Sequence, residues 1–226
     1  MLAALLASGA VLPIGAAAGV GYGLVCDLLI AAGLAGSGLR HVGAANAVTW
    51  TRCVLVGAVV ALVADPASPG ATGVLVVIAA VALLLDGVDG RIARVSHSVS
   101  AFGSRFDMEV DASLVLALSI AAAAQVGPWI LLVGAARYLL LLATALVPRL
   151  AAPTPPRLWR KVVAVLQGVA LIVVCAGSFG WVVSEVVAAL AALALAVSFG
   201  TQVHELLRSG VRTAPADRRV VDATVV

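Results

Sequence analysis

Residues 71–111 read ATGVLVVIAAVALLLDGVDGRIARVSHSVSAFGSRFDMEVD, an apolar run followed at once by a strongly charged stretch. The run from 71 to 85 contains no charged side chain, as expected of a helix that crosses a membrane. Residues 86–111 then hold five of the 11 acidic residues of the chain. This stretch predicts a membrane helix that ends in a concentrated acidic site.

The whole chain has the composition of a membrane protein. Of its 226 residues, 63% are hydrophobic and only 11% are charged, so a soluble domain could not cover its surface with polar groups. We expect an all-α integral membrane protein: a six-helix transmembrane bundle preceded by an extra N-terminal hydrophobic helix. Apolar stretches of the length that spans a bilayer lie at about 10–35, 46–64, 71–94, 103–125, 128–147, 160–178 and 181–206.

The N-terminal segment, residues 1–36, is predicted to be a retained hydrophobic helix. Its opening, MLAALLASGAVLPIGAAAG, lacks the basic start of a signal peptide, and apolar sequence continues beyond any plausible cleavage point. We expect the membrane domain to cover residues 40–207. Residues 208–226 are polar and contain a proline, which predicts a disordered cytoplasmic tail.

Basic residues are confined to alternate connections between the predicted helices. The links at 91–105 and 149–161 are rich in arginine, whereas those at 65–70, 125–128 and 176–180 contain no Lys or Arg. Because Lys and Arg are retained on the cytoplasmic side, we expect a multi-pass protein of the cell membrane whose acidic stretch faces the cytoplasm. The net charge of +3 then reflects topology and attraction to anionic lipids, not nucleic-acid binding.

Four aspartates of the acidic stretch share two helix faces. Asp86 and Asp89 are spaced i, i+3, and Asp107 and Asp111 are spaced i, i+4, so each pair lies on one face of its helix. A short turn between the two helices would bring the four carboxylates together, where their repulsion favours a bound cation. Oxygen ligands without His or Cys indicate a hard ion, Mg²⁺ or Mn²⁺, held beside phosphate groups.

The residues between these aspartates suit a bound phosphate. Gly90, Ala93 and Gly103 would let helix backbones approach each other and a phosphate closely, and Arg94 would neutralise phosphate oxygens. The pattern therefore indicates transfer at a phosphorus atom near the headgroup layer. The other interpretation is a set of solvated helix-end carboxylates paired with the arginines of the same stretch.

Eight of these residues resemble, in identity and spacing, the signature of the CDP-alcohol phosphatidyltransferases, which reads here Asp86-x2-Asp89-Gly90-x2-Ala93-Arg94-x8-Gly103-x3-Asp107-x3-Asp111. The family's short Asn/Thr/Arg pattern is resembled by Asn46-x2-Thr49-x2-Arg52. The resemblance covers about residues 40–207 and implies six helices with the motif across the second and third. Residues 1–36 depart from it, because the family usually begins with a short interfacial helix.

The resemblance implies an enzyme of phospholipid synthesis, of the bacterial type, that moves a phosphatidyl group from CDP-diacylglycerol to a small alcohol and releases CMP. By the same resemblance, two Mg²⁺ or Mn²⁺ ions are bound by Asp86, Asp89, Asp107 and Asp111, and Asp111 is also the general base. The residues implied to hold the nucleotide and its diphosphate are Asn46, Thr49, Gly90, Arg94, Ser100 and Gly103. The family resemblance also implies a homodimer.

Cations outside the motif suggest a phosphorylated acceptor. Arg137 lies near the middle of a predicted span, where a cation is costly; it would pair with a motif aspartate, reach a lipid phosphate or extend to the interface. The basic link at 149–161 would attract an acceptor such as glycerol phosphate or inositol phosphate, although membrane orientation alone also explains it. The candidate acceptor contacts are Arg137, Arg157, Arg160 and Lys161. Glu109 is off the face of the motif aspartates and is expected to be solvated or paired with an arginine.

Three alternatives remain open from the sequence. The donor could be a soluble CDP-alcohol such as CDP-choline, with diacylglycerol as the acceptor. A divalent-cation transporter would also use membrane carboxylates, but its site belongs near the midplane, whereas these aspartates flank a turn. A family member that has lost activity is the third, and the intact Asp111 argues against it.

Overall fold

The computed structural model describes residues 1–7, 11–37, 44–65, 70–95, 101–147 and 158–212. Within these ranges, the side chains of residues 7, 33–37, 44–48, 88–95, 101–102, 158 and 206–212 fall outside the description. All the longer elements of the described chain are α-helices, which confirms the predicted class. They are α1 (Leu2–Ala7), α2 (Pro13–Ser37), α3 (Ala44–Ala64), α4 (Ala71–Val95), α5 (Ala101–Val126), α6 (Leu131–Leu146), α7 (Leu158–Ala176) and α8 (Gly180–Arg212).

Several of these helices have the length and composition of membrane spans. Five stretches are long and apolar enough to cross a bilayer: Pro13–Ala32, Gly103–Val126, Pro128–Leu146, Trp159–Ala176 and Gly180–Glu205. Helices α3 and α4 contain shorter apolar stretches, Thr49–Ala64 and Ala71–Gly87. The shortening of α4 has a simple cause, since the helix becomes charged from Asp86 onward. The chain is therefore a multi-pass membrane protein built as a helical bundle.

The helix boundaries follow the sequence pattern closely. Six helices, α3 to α8, occupy the six apolar segments predicted after residue 40, and α2 occupies the added N-terminal segment. Helix α8 continues to Arg212, past the boundary at 208 that was predicted to begin a disordered tail. Residues 148–157 and 213–226 lie outside the described residues.

Helix α5 occupies the centre of the bundle. It packs against α2, α3, α6, α7 and α8, and its side chains Val110, Leu114 and Leu118 are at most 2% exposed. Helix α6 approaches it closely at Gly134, where an added Cβ would come within 2.9 Å of the α5 backbone. Because α5 is enclosed on several sides, its acidic side chains Asp107, Glu109 and Asp111 can meet side chains of neighbouring helices.

The two ends of the bundle differ in chemistry. We call the end that holds Asp86 and Asp107 the aspartate end. At the opposite end the links that follow α5 and α7 are tight turns: Gly127 adopts a φ of 88° ahead of a short 3-10 turn, and Gly177 adopts a φ of 63°. There the Gln125 side-chain amide donates a hydrogen bond of 3.2 Å to the Cys175 carbonyl, which joins α5 to α7.

Candidate functional site

A buried arginine organises the aspartate end of the bundle. Arg52 lies on α3, and its side chain is completely buried. Its Nη1 lies 3.1 Å from Asp86 Oδ1 on α4 and also donates to Asp107 Oδ1 on α5. Its Nη2 donates to Asp111 Oδ1, one turn further along α5. One guanidinium therefore joins three helices through three carboxylates.

The structure brings together three of the four motif aspartates. One carboxylate oxygen from each of Asp86, Asp107 and Asp111 lies within 4.8 Å of the other two. The last two share a face of α5 because they are spaced i, i+4, and that face is turned towards the end of α4. The fourth aspartate, Asp89, lies on α4, but its side chain is outside the described residues.

The charges of this cluster suit a divalent cation. Three carboxylates surround a single guanidinium, so the described side chains carry an excess of two negative charges when ionised. Oxygen donors of this kind are the ligands that Mg²⁺ and Mn²⁺ prefer. A metal ion would relieve the remaining repulsion, and we conclude that Asp86, Asp107 and Asp111 could hold one.

The site is closed on the arginine side and open on the aspartate side. Arg52 has 0% exposure, whereas the side chains of Asp86, Asp107 and Asp111 are 23%, 34% and 42% exposed. The Arg52 guanidinium is enclosed by the protein, whereas the three carboxylates are accessible. A substrate can therefore approach the aspartates. Of the three aspartate side chains, that of Asp111 has the largest exposed fraction.

The predicted nucleotide contacts are described only in part. Thr49 is buried on α3, one turn before Arg52, and Gly103 lies in the first turn of α5. Both therefore lie on the helices that form the aspartate cluster. Asn46 lies on α3, and Gly90 and Arg94 lie on α4, but the structure describes only the helix at these three positions. Ser100 and Arg157 lie outside the described residues altogether.

Arg137 on α6 pairs with α5 from another side. Its Nη2 donates to Glu109 Oε1 at 2.5 Å. Glu109 lies between Asp107 and Asp111 in sequence, but it is turned away from their shared face. The interpretation of Glu109 as an arginine-paired residue is thus confirmed, and Arg137 contacts this glutamate rather than a motif aspartate.

The described part of the basic link is also partly neutralised. Arg160 Nη2 donates to Glu205 Oε2 at 2.7 Å, which ties α7 to α8. Its guanidinium also lies 5.9 Å from the centre of the Trp159 ring, within range of a cation–π contact. Lys161 is exposed. Acceptor binding by Arg160 and Lys161 stays a prediction.

Arg52 was not predicted to belong to the site. In the sequence it is only the third member of a short pattern, although an arginine in a membrane helix is itself a signal of function. Gln167 on α7 is a polar residue inside the bundle. It is 6% exposed, and among the described residues its Nε2 has no hydrogen-bond partner.

Comparison with known proteins identifies the fold family. Residues 42–200, more than two thirds of the chain, match the family model described as CDP-alcohol phosphatidyltransferase. Comparison with curated proteins and with solved structures gives no significant match. The family indicates a phosphotransferase enzyme of phospholipid synthesis that acts on CDP-alcohols and membrane lipids, and its members typically depend on a divalent metal. With its helical membrane bundle and its cluster of three aspartates, the chain belongs to the CDP-alcohol phosphatidyltransferase family.

Proposed function

We propose that this enzyme transfers a phosphatidyl group from CDP-diacylglycerol to a small phosphorylated alcohol and releases CMP. The observation that carries the proposal is the convergence of Asp86, Asp107 and Asp111 on Arg52. This cluster lies within the part of the chain that matches the family. It provides acids and a fixed cation at one end of a membrane bundle, where a lipid diphosphate can reach them.

The proposed cofactor is Mg²⁺ or Mn²⁺, with two ions bound. Asp86, Asp107 and Asp111 would hold them together with Asp89 of the same motif. When bound, such ions would supply stabilisation of the negative charge that develops on a diphosphate as its P–O bond breaks. The excess negative charge of the described cluster supports this assignment.

Asp111 is the proposed general base. Arg52 engages its Oδ1, so the proton of the acceptor hydroxyl would go to Oδ2. The acceptor oxygen then forms a bond to the β-phosphorus, the bond between that phosphorus and the bridging oxygen breaks, and CMP leaves with the electron pair. The greater exposure of Asp111 compared with Asp86 and Asp107 supports this role, since the base must meet an incoming acceptor.

Arg52 is proposed to hold the carboxylates in place. Its buried guanidinium donates to both α5 aspartates and contacts Asp86, which fixes α3, α4 and α5 relative to one another. Preorganised groups of this kind lower the cost of reaching the transition state, because they need not be rearranged during the reaction. Arg52 thus positions the groups that touch the substrate.

We propose that the aspartate end faces the cytoplasm of the cell. Arg105 near the start of α5 and Arg160 and Lys161 near the start of α7 lie at this end, and basic residues next to membrane helices are retained on the cytoplasmic side. The site would then lie in the cytoplasmic headgroup layer, where the nucleotide of a CDP-lipid is accessible from water.

The proposed assembly is a homodimer, which a mass measurement in nanodiscs would test.

The acceptor is proposed to carry a phosphate. Lys161 is exposed beside Arg160 at the start of α7, and Arg157 precedes them in the same basic link. These charges would attract a phosphorylated alcohol to the aspartate end. Arg137 and Arg160 already have carboxylate partners, so a phosphate that binds there would share or displace those ion pairs.

The proposal is tested with the purified protein in nanodiscs, CDP-diacylglycerol and Mg²⁺. CMP release is followed while glycerol 3-phosphate, inositol phosphate, inositol and serine are added one at a time. We expect release that depends on one phosphorylated acceptor. Release that requires CDP-choline and diacylglycerol instead would contradict the proposed donor. Mg²⁺ flux into sealed vesicles without release of CMP from any donor would favour the transporter interpretation.

A further inference from the structure

Helix α2 lies outside the family match, which begins at residue 42, yet it is packed along the family domain. It runs antiparallel to α3. At the beginning of α2, the Leu12 backbone amide donates a hydrogen bond to the carboxylate of Asp65, which follows the end of α3. Towards the other end the Trp50 indole donates to Asp27 Oδ1 at 3.2 Å. The two helices therefore touch along most of their length.

Small residues bring the backbones of α2 and α3 into direct contact. A Cβ added at Gly15 would lie 2.4 Å from the Ala61 carbonyl oxygen, and one added at Gly19 would lie 2.7 Å from the Gly57 carbonyl oxygen. Contacts this close leave no room for any larger residue at either glycine. Close packing through small residues is the usual basis of helix association in membranes, so α2 is fixed on α3.

Tyr22 then connects this helix pair to the centre of the bundle. Its ring packs against α3 at Gly57, where an added Cβ would lie 3.4 Å from Tyr22 Cδ1. Its hydroxyl makes a hydrogen bond of 2.7 Å with Ser113 Oγ on α5. Ser113 Oγ in turn donates to the Val110 carbonyl oxygen at 2.8 Å, so Tyr22 is the donor to Ser113.

The hydrogen bond reaches α5 at the turn that carries the proposed base. Val110 and Ser113 flank Asp111 in sequence, and Gly57 lies little more than one turn from Arg52 on α3. Tyr22 therefore spans the same pair of helices, α3 and α5, that Arg52 joins through Asp107 and Asp111. In a membrane the tyrosine hydroxyl has little water to bond to, which favours a fixed partner.

We infer that Tyr22 is a positioning residue of the phosphotransfer site: through Ser113 it fixes the Asp111 turn of α5 against α3. Helix α2, which precedes the family domain, then contributes to the geometry of the active site. The inference rests on the proposed function for its catalytic consequence. Its geometric part, the placement of the α5 carboxylates, can be measured without turnover.

The test compares Tyr22→Phe and Ser113→Ala with the wild type. Each removes one hydroxyl and leaves the apolar packing in place. The matched control is Ser119→Ala, because Ser119 lies on the same helix and its Oγ also donates to a carbonyl of that helix, that of Val115, at 2.8 Å. Three quantities are measured for each protein: Mn²⁺ affinity by electron paramagnetic resonance without substrate, kcat for CMP release, and the unfolding temperature.

We expect Tyr22→Phe and Ser113→Ala each to weaken Mn²⁺ binding and to lower kcat by about fivefold, the typical effect of one hydrogen bond. The double variant should be no worse than either single variant, because both remove the same hydrogen bond. Ser119→Ala should keep wild-type Mn²⁺ affinity and kcat. Rescue is also expected: Ser113→Thr keeps a hydroxyl and should stay closer to the wild type than Ser113→Ala.

Two results would overturn the inference. One is an unchanged Mn²⁺ affinity in Tyr22→Phe and Ser113→Ala, even if their unfolding temperatures fall, since that pattern describes a structural contact only. The other is an additive loss in the double variant. Absence of CMP release from the wild type would instead contradict the proposed function, and the Mn²⁺ measurements would still decide the role of Tyr22.

Discussion

Two arginines contact helix α5 within the same stretch of sequence, and they differ in how their charge is balanced. Arg52 reaches Asp107 and Asp111 from α3 and also contacts Asp86, so one buried cation meets three carboxylates. Arg137 reaches α5 from α6, and among the described residues its carboxylate partner is Glu109, with both side chains partly exposed. The first cluster is left with excess negative charge, whereas the second is a matched pair.

This difference separates a site built for a cation from an ordinary ion pair. A pair of one arginine and one glutamate is neutral overall, so it needs no further cation. Three acids around one buried guanidinium repel each other unless another cation joins them. We therefore expect substitutions at the Arg52 cluster to change metal binding and catalysis, and substitutions at the Arg137 pair to leave metal binding unchanged.

The largest effect is expected for Asp111→Asn. An asparagine has the same shape but cannot take the proton of the acceptor, and general-base catalysis contributes roughly 10²–10⁴-fold to a rate. CMP release should fall by about that factor, while Mn²⁺ still binds to the other aspartates. Steady-state kinetics and Mn²⁺ titration measure the two quantities. Near wild-type turnover would show that another group takes the proton.

Arg52→Gln should produce the next largest change. Removing one partner of a buried ion pair costs about 3–5 kcal/mol, and we expect the lower end of this range because the three carboxylates are partly exposed. Without the guanidinium, the carboxylates depend more strongly on a metal ion. Mg²⁺ should therefore raise the unfolding temperature of the variant more than that of the wild type. An equal rise in both proteins would contradict the charge argument.

Asp86→Asn should weaken the response to Mg²⁺ without removing the base. Loss of one ligand leaves Asp107 and Asp111 in place, and even supporting partners of a metal site change affinity by about 10–100-fold. The Mg²⁺ concentration for half-maximal CMP release should rise by at least about tenfold. The check is a Mg²⁺ titration at saturating substrates. An unchanged half-maximal concentration would exclude Asp86 as a ligand.

The smallest effect is expected for Glu109→Gln, with Asp107→Asn as its matched comparison. Both remove one negative charge from the same turn of α5, but only Asp107 belongs to the Arg52 cluster. Glu109→Gln should leave the Mg²⁺ response as it is, because Glu109 pairs with Arg137 and not with the Arg52 cluster. Asp107→Asn should shift that response as Asp86→Asn does. Equal shifts in both variants would mean that overall charge, not ligation, sets metal affinity.

Much of the fold could be predicted from the sequence because the information is local. Uninterrupted apolar runs give each membrane helix, and glycines such as Gly127 and Gly177 mark the turns where helices end. The same locality applies to the aspartates. Their spacings of three and four residues are enough to place each pair on one face of its helix.

Pairings between distant residues could not be predicted in the same way. Arg52 is 55 residues from Asp107, Arg160 is 45 from Glu205, and Tyr22 is 91 from Ser113. No periodic pattern encodes such contacts, because they depend on which helices become neighbours and at what depth. The packing of α2 could not be predicted for the same reason, since the function of its glycines is visible only where they contact α3.

The most direct test of the Arg52 cluster as a phosphotransfer centre is a Mg²⁺ titration of CMP release from CDP-diacylglycerol, with wild type and Asp111→Asn measured side by side in the presence of the active acceptor. We expect no release in EDTA, a saturable return of activity with Mg²⁺ in the wild type, and almost no activity at any Mg²⁺ concentration in the variant. Release that persists in EDTA, or a variant that responds like the wild type, would contradict this expectation.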